Sequence, residues 1–171
     1  ALFFNTTGIN NAASGATALL FNSEGSSNTA SGFGALSSNT VGYSNVAMGK
    51  DALFKNSNRS NLVAVGDSAL FNNGTGASGE EEAAANTAVG SKALYANTTG
   101  YDNTALGFRA LFTNSSGKGN TAVGRAAMFY NSAGSFNSAF GKNALGLFSG
   151  DGNTAIGYSA LVNNTGNYNT A

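Results

Sequence analysis

Apolar residues along this chain come in short clusters, and the clusters return at a fixed interval. A triplet of the Thr-Ala-Val type is followed by Gly and two variable residues, then by Ala-Leu-Phe, and each cluster closes on Asn, Gly or Ser. The phrase reads Asn-Thr-Ala-Val-Gly from Asn86 to Gly90 and returns, with small changes, at Asn103, Asn120, Asn137 and Asn153. Looser copies begin at Asn11, Asn28, Asn45 and Leu62. The interval is 17 residues almost throughout, falling to 16 after Asn137 and rising to 24 between Leu62 and Asn86. The unit is Asn-Thr-Ala-Val-Gly-x-x-Ala-Leu-Phe-x-Asn-x-x-Gly-x-x, with unit positions 1 to 17.

Three positions do not vary among the nine copies that begin within the chain. Position 3 is Ala (Ala13, Ala30, Ala47, Ala64, Ala88, Ala105, Ala122, Ala139, Ala155), position 5 is Gly (Gly15, Gly32, Gly49, Gly66, Gly90, Gly107, Gly124, Gly141, Gly157), and position 8 is Ala from Ala18 to Ala160. Position 9 is Leu, as at Leu94, Leu111, Leu145 and Leu161, except for Met128. A unit this short cannot hold a pair of helices, which takes over about thirty residues, and Asn and Gly at both ends of each apolar run break helices.

The pattern therefore predicts an all-β fold, a parallel β-solenoid of about ten coils of ~17 residues, spanning 1–171 as one array without separate domains. Coils start near 11, 28, 45, 62, 86, 103, 120, 137 and 153. Each coil is expected to hold two strands, Thr-Ala-Val and Ala-Leu-Phe, separated by the Gly turn and by the Asn-x-x-Gly corner. With a rise of about 4.8 Å per coil the rod is roughly 50 Å long. Small alanines suit a narrow interior. The asparagines at positions 1 and 12 either stack as amide ladders or simply cap turns, and both readings stay open.

Strand alternation then turns the bulkier residues outward. One stripe is Val65, Val89, Leu106, Val123, Phe140 and Ile156; a second is Leu36, Leu53, Leu70, Leu94, Leu111, Met128, Leu145 and Leu161, with Phe3, Phe54, Phe71, Tyr95, Phe112 and Phe129 beside it. Stripes of that length exceed the few hundred Å² of contiguous apolar surface that soluble monomers tolerate, so a cyclic homo-oligomer is expected to cover them.

Composition narrows the function. Eight basic and eight acidic residues give zero formal charge, which leaves no footprint for nucleic acid or an anionic membrane. With neither His nor Cys, the usual nucleophile–base pairs and nitrogen or sulfur metal sites cannot be built, so no enzyme activity, cofactor or metal is expected. Asp51, Asp67, Asp102 and Asp151 occupy different unit positions, and Gly74-Thr75-Gly76 reads as turn rather than nucleotide loop. No apolar run is long enough to span a membrane, and Ala1-Leu2-Phe3-Phe4 lacks the features of a signal peptide, so the chain reads as an interior piece whose anchor and caps lie elsewhere.

One copy carries an insertion, within 74–85, which includes Gly79-Glu80-Glu81-Glu82. It is expected to bulge from the rod, where solenoids often graft binding. Glu80, Glu81 and Glu82 are the candidate site, for a cation or a basic partner, against the simpler alternative of a solvated loop. The Asn-x-Ser/Thr sequons at Asn5, Asn97 and Asn114 are generated by the repeat itself.

The phrase Leu62-Val63-Ala64-Val65-Gly66 resembles the Ser-Val-Ala-Ile-Gly phrase of the head repeats of trimeric autotransporter adhesins, the YadA-like heads, and Asn-Thr-Ala-Val-Gly is similar to it. The resemblance extends over the whole chain but rests on five residues per unit. It implies a left-handed β-roll, a homotrimer, an extracellular or cell-surface location, and binding to a host-surface or matrix protein or glycan. The added Ala-Leu-x-x-Asn-x-x-Gly element makes these units longer than the family's. Similar arrays in proteins resembling phage tail fibres supply a second reading, a virion fibre shaft. A third is a filament of subunits joined end to end, since neither end of the chain shows a polar cap. Ice binding through Thr87, Thr104, Thr121, Thr154 and Thr170 ranks last, because Val63 and Ser138 interrupt the row.

Overall fold

The computed structural model describes residues 1–147 and 150–171. Among the described residues there are nine strands of three residues each and no helix: β1 Ala12–Ser14, β2 Thr29–Ser31, β3 Val46–Met48, β4 Val63–Val65, β5 Thr87–Val89, β6 Thr104–Leu106, β7 Thr121–Val123, β8 Ser138–Phe140 and β9 Thr154–Ile156. They form one parallel sheet in chain order. Register follows the repeat without a slip: Ala13 opposes Ala30, and the column of position-3 alanines continues in this way to Ala139 opposite Ala155. Even across the insertion Ala64 opposes Ala88. The fold is a parallel β-solenoid.

Each coil contributes one strand, and the expected second strand, Ala-Leu-Phe, does not form. The reason is the backbone at position 9, where every copy lies in the left-handed region, with φ from 48° at Leu19 to 53° at Leu53. Position 7 is left-handed too, for example Asp51 at 55° and Arg109 at 56°. Two such residues around the alanine cancel the alternation of an extended chain, so the alanine of position 8 and the leucine of position 9 both point inward. Ala110 and Leu111, like Ala52 and Leu53, are fully buried. The expected outward stripe from Leu36 to Leu145 is therefore the core, with Leu161 packed against it half-buried. Coil-to-coil hydrogen bonding persists without a strand: Leu111 N–H donates to Ala127 O at 2.9 Å, while Arg109 N–H donates the other way, to Ser91 O at 3.0 Å.

The left-handed conformation costs an L-residue roughly 1–2 kcal/mol. Burying a Leu side chain contributes about 1.5–3 kcal/mol, which offsets it. The Gly at position 5 is compulsory for a stronger reason. Gly107 has φ 138°, and a Cβ there would sit 2.5 Å from the carbonyl oxygen and 2.7 Å from the carbonyl carbon of Gly124 in the next coil.

Both readings of the asparagines hold together. Asn103 Nδ2 donates to Asn86 Oδ1 of the preceding coil at 3.1 Å and to Gly117 O of its own coil at 2.8 Å. Asn114, at position 12, donates to Asn97 Oδ1 at 3.0 Å and to the same Gly117 O at 3.1 Å. Most coils are thus closed by two amides on one carbonyl, and the amides also run as two ladders along the rod. Nearly all of these side chains are fully buried, as at Asn28, Asn45, Asn103 and Asn120.

The aromatic series of position 10 is a true stack from Phe54 through Phe71, Tyr95 and Phe112 to Phe129, with ring centroids 5.0–5.4 Å apart. Phe3 does not belong to it. Leu20 and Ser37 break the column, and Phe3 meets Phe4 edge-on.

Candidate functional site

Position 15 is Gly in most coils because the corner is tight: Gly42 has no room for a Cβ beside Arg59 O. Arg59 itself breaks that rule, in the coil directly before the insertion. In regular coils two or three successive N–H groups converge on one carbonyl of the next coil, as Thr98, Thr99 and Gly100 do on Ser115 O at 2.9–3.1 Å. Among the described residues no such convergence links Ser57, Asn58 and Arg59 to Gly74, because the following coil diverges there into the insertion. The gap admits the Arg59 side chain, which is only 6% exposed. Its Nη2 donates to Ala77 O at 2.8 Å and its Nη1 to Gly79 O at 2.7 Å, so the arginine holds the base of the loop. Asn73 Nδ2 then reaches Ala83 O at 2.9 Å, and Ala83 takes over the closing role of the corner glycine. Leu62 replaces the asparagine of position 1 in this one coil and is buried.

The three glutamates of the loop do not form one site. Glu82 turns back into the loop, where its Oε2 accepts from Ser78 N–H at 2.7 Å and Gly79 N–H at 3.0 Å. These backbone donors, first Gly79 and then Ser78, with the nearby Arg59 charge, hold its carboxyl below the usual 4.5. A group depressed in the folded state stabilises its surroundings above the unfolded value and loses that contribution as pH falls through the folded one. The loop is therefore expected to loosen only below about pH 4.5. In an NMR titration the Ser78 and Gly79 amide signals should move together below that pH, and Glu82→Gln should abolish the movement; amides that titrate unchanged in the variant would refute the bond.

Glu80 and Glu81 are exposed and face a cleft of about 580 Å³ on the other side of the loop. Its lining includes Val41, Tyr43, Asn58, Arg59, Ser60, Asn61, Ala84, Ala85, Tyr101 and Asp102. No known family, curated protein or solved structure matches the chain. What the cleft can do has to be read from its own residues.

The repeat pattern marks neither the two tyrosines, Tyr43 and Tyr101, nor Arg59 as functional. A signal is present for each: both tyrosines fall at position 16, with the small residues Ser60 and Ala84 between them, and Arg59 is the sole charged residue at position 15.

Two other surface features bear on function. The row at position 4 faces outward as expected: Met48, Leu106, Phe140 and Ile156 are 46%, 39%, 43% and 67% exposed, while Val65, Val89 and Val123 are half-buried. Position 6, across the glycine column, adds exposed Phe33, Phe108 and Tyr158. The sequons at Asn97 and Asn114 are closed to any modification of the folded chain, because both amides are fully buried ladder members. Among the described residues no three acidic side chains gather to hold a metal ion.

Proposed function

We propose that the chain is a non-enzymatic structural and adhesive segment of an extracellular or cell-surface fibre, a homotrimer in the manner of the adhesin heads that its repeat phrase resembles. The observation that carries this reading is the apolar row on the outside of an otherwise well-satisfied rod. Leu106, Phe140 and Ile156 stand at equivalent points of their coils, with Phe108 and Tyr158 one glycine further on. A row repeated in strict register can be covered along its whole length by an identical parallel neighbour, and a closed ring of such neighbours leaves none exposed. The lack of His and Cys and the scattered carboxylates favour support over catalysis.

The test is sedimentation equilibrium of a Leu106→Ser, Phe140→Ser, Ile156→Ser variant beside the unaltered chain. All three side chains point to solvent, so the variant should keep the circular dichroism of the parent and sediment as a monomer, while the parent sediments as a trimer. A variant that assembles as the parent does would remove the position-4 row from the account.

A further inference from the structure

The cleft beside the insertion is where the repeat departs from itself several times within two coils: Arg59 for Gly, Leu62 for Asn, and the added loop. Tyr43 and Tyr101 lie three coils apart at the same unit position, so their rings stand roughly 14 Å apart along the rod, with Ser60 and Ala84 as the floor between them. The cleft has a volume of about 580 Å³ and is half open to solvent. The rim is acidic: Glu80 and Glu81 come from the loop and Asp102 from the following coil, all three exposed.

Arg59 is the one basic residue lining the cleft, and its charge is already engaged. Its terminal nitrogens lie on the carbonyls of Ala77 and Gly79, with Glu82 nearby as the compensating carboxylate. Among the described residues Glu80, Glu81 and Asp102 form no ion pair. Among the described residues they do not form a group that could hold a metal ion. The tyrosines supply faces suited to a larger cation, and Tyr101 shows this in place, since Lys118 Nζ from the next coil lies 5.4 Å from its ring centroid. The cleft lies on the side of the preceding coils.

We propose that this cleft binds a lysine or arginine side chain carried by a partner polypeptide, the cationic head lying along the acidic rim of Glu80, Glu81 and Asp102 and against a tyrosine face. None of the apolar row lines the cleft, so the site does not depend on self-association.

The experiment is calorimetric titration of the whole chain at low salt with the blocked peptide acetyl-Gly-Lys-Gly-Arg-Gly-amide. The control peptide carries norleucine and citrulline in place of the two cations. Saturable binding is expected for the first peptide only, weakening about ten-fold in the E80Q/E81Q/D102N variant and several-fold in Tyr101→Leu, as exposed charge contacts and cation–π contacts each contribute a factor of a few. It should also weaken as salt is raised to roughly 0.3 M. The rod of the carboxylate variant should melt as the parent does, because all three side chains are exposed. Equal binding of the neutral peptide, or binding indifferent to the three carboxylates, would overturn the proposal, as would no heat with either peptide at millimolar concentration. The monomeric Ser variant of the apolar row should bind the cationic peptide as the parent does, which separates a failure here from a failure of the fibre reading.

Discussion

Leu111→Ile should destabilise the rod by about 2–3 kcal/mol, although it keeps the same atoms and the same hydrophobicity. In an ordinary core the exchange costs less than about 1.5 kcal/mol. Here the residue has φ 50°, and a second branch on Cβ crowds the backbone in the left-handed region. Leu111 cannot relax to another φ without releasing its N–H from Ala127 O and turning its side chain out of the core. Leu111→Met is the matched control, because Met128 already occupies this unit position at φ 50° and is fully buried. Chemical denaturation of the three proteins decides the matter: Ile well below Leu with Met close to Leu supports the left-handed position, and Ile equal to Met would contradict it.

Asn103→Leu should cost more, about 3–4 kcal/mol, because the side chain serves four partners in a fully buried position. Its Oδ1 accepts from Asn120 N–H at 3.0 Å and from Asn120 Nδ2 at 3.1 Å, and its Nδ2 donates to Asn86 Oδ1 and Gly117 O. Gly117 O keeps the bond from Asn114, so closure of the corner survives in part. The Asn120 backbone N–H loses its acceptor, and a buried donor without a partner costs about 1–3 kcal/mol by itself. The chain tolerates Leu at this unit position once, at Leu62, in the coil whose corner is remade by the insertion. A fall in stability of under about 1 kcal/mol in Asn103→Leu would show that the ladders are passengers of the fold rather than its supports.

Much of this architecture is legible from the repeat, because stacking forces equivalent residues of successive coils into contact. Invariant Ala at position 3 reads as a narrow interior and invariant Gly at position 5 as a backbone that no side chain can enter, and the in-register columns bear out both. Ala-Leu-Phe misleads because an apolar run looks like a strand whatever the sign of φ. The informative contrast lies between positions: position 4, in the strand, accepts Val and Ile, whereas position 9 takes only unbranched-Cβ Leu or Met in nine copies. That exclusion of β-branching marks a left-handed residue.

The candidate site is visible in the sequence only as a length anomaly. The excess between Leu62 and Asn86 locates the loop, and Glu80 and Glu81 do project from it, but composition cannot tell them from Glu82, which is bound to the loop's own N–H groups. Arg59 lies outside the loop in sequence, and only the three-dimensional stacking of coils brings it under Ala77 and Gly79.

The most direct test of the account is the solution mass of the unaltered chain, by light scattering after size-exclusion chromatography. A homotrimer covering the position-4 row predicts three times 17.0 kDa. A monodisperse species of 17.0 kDa, stable at high concentration, would contradict the self-associated fibre.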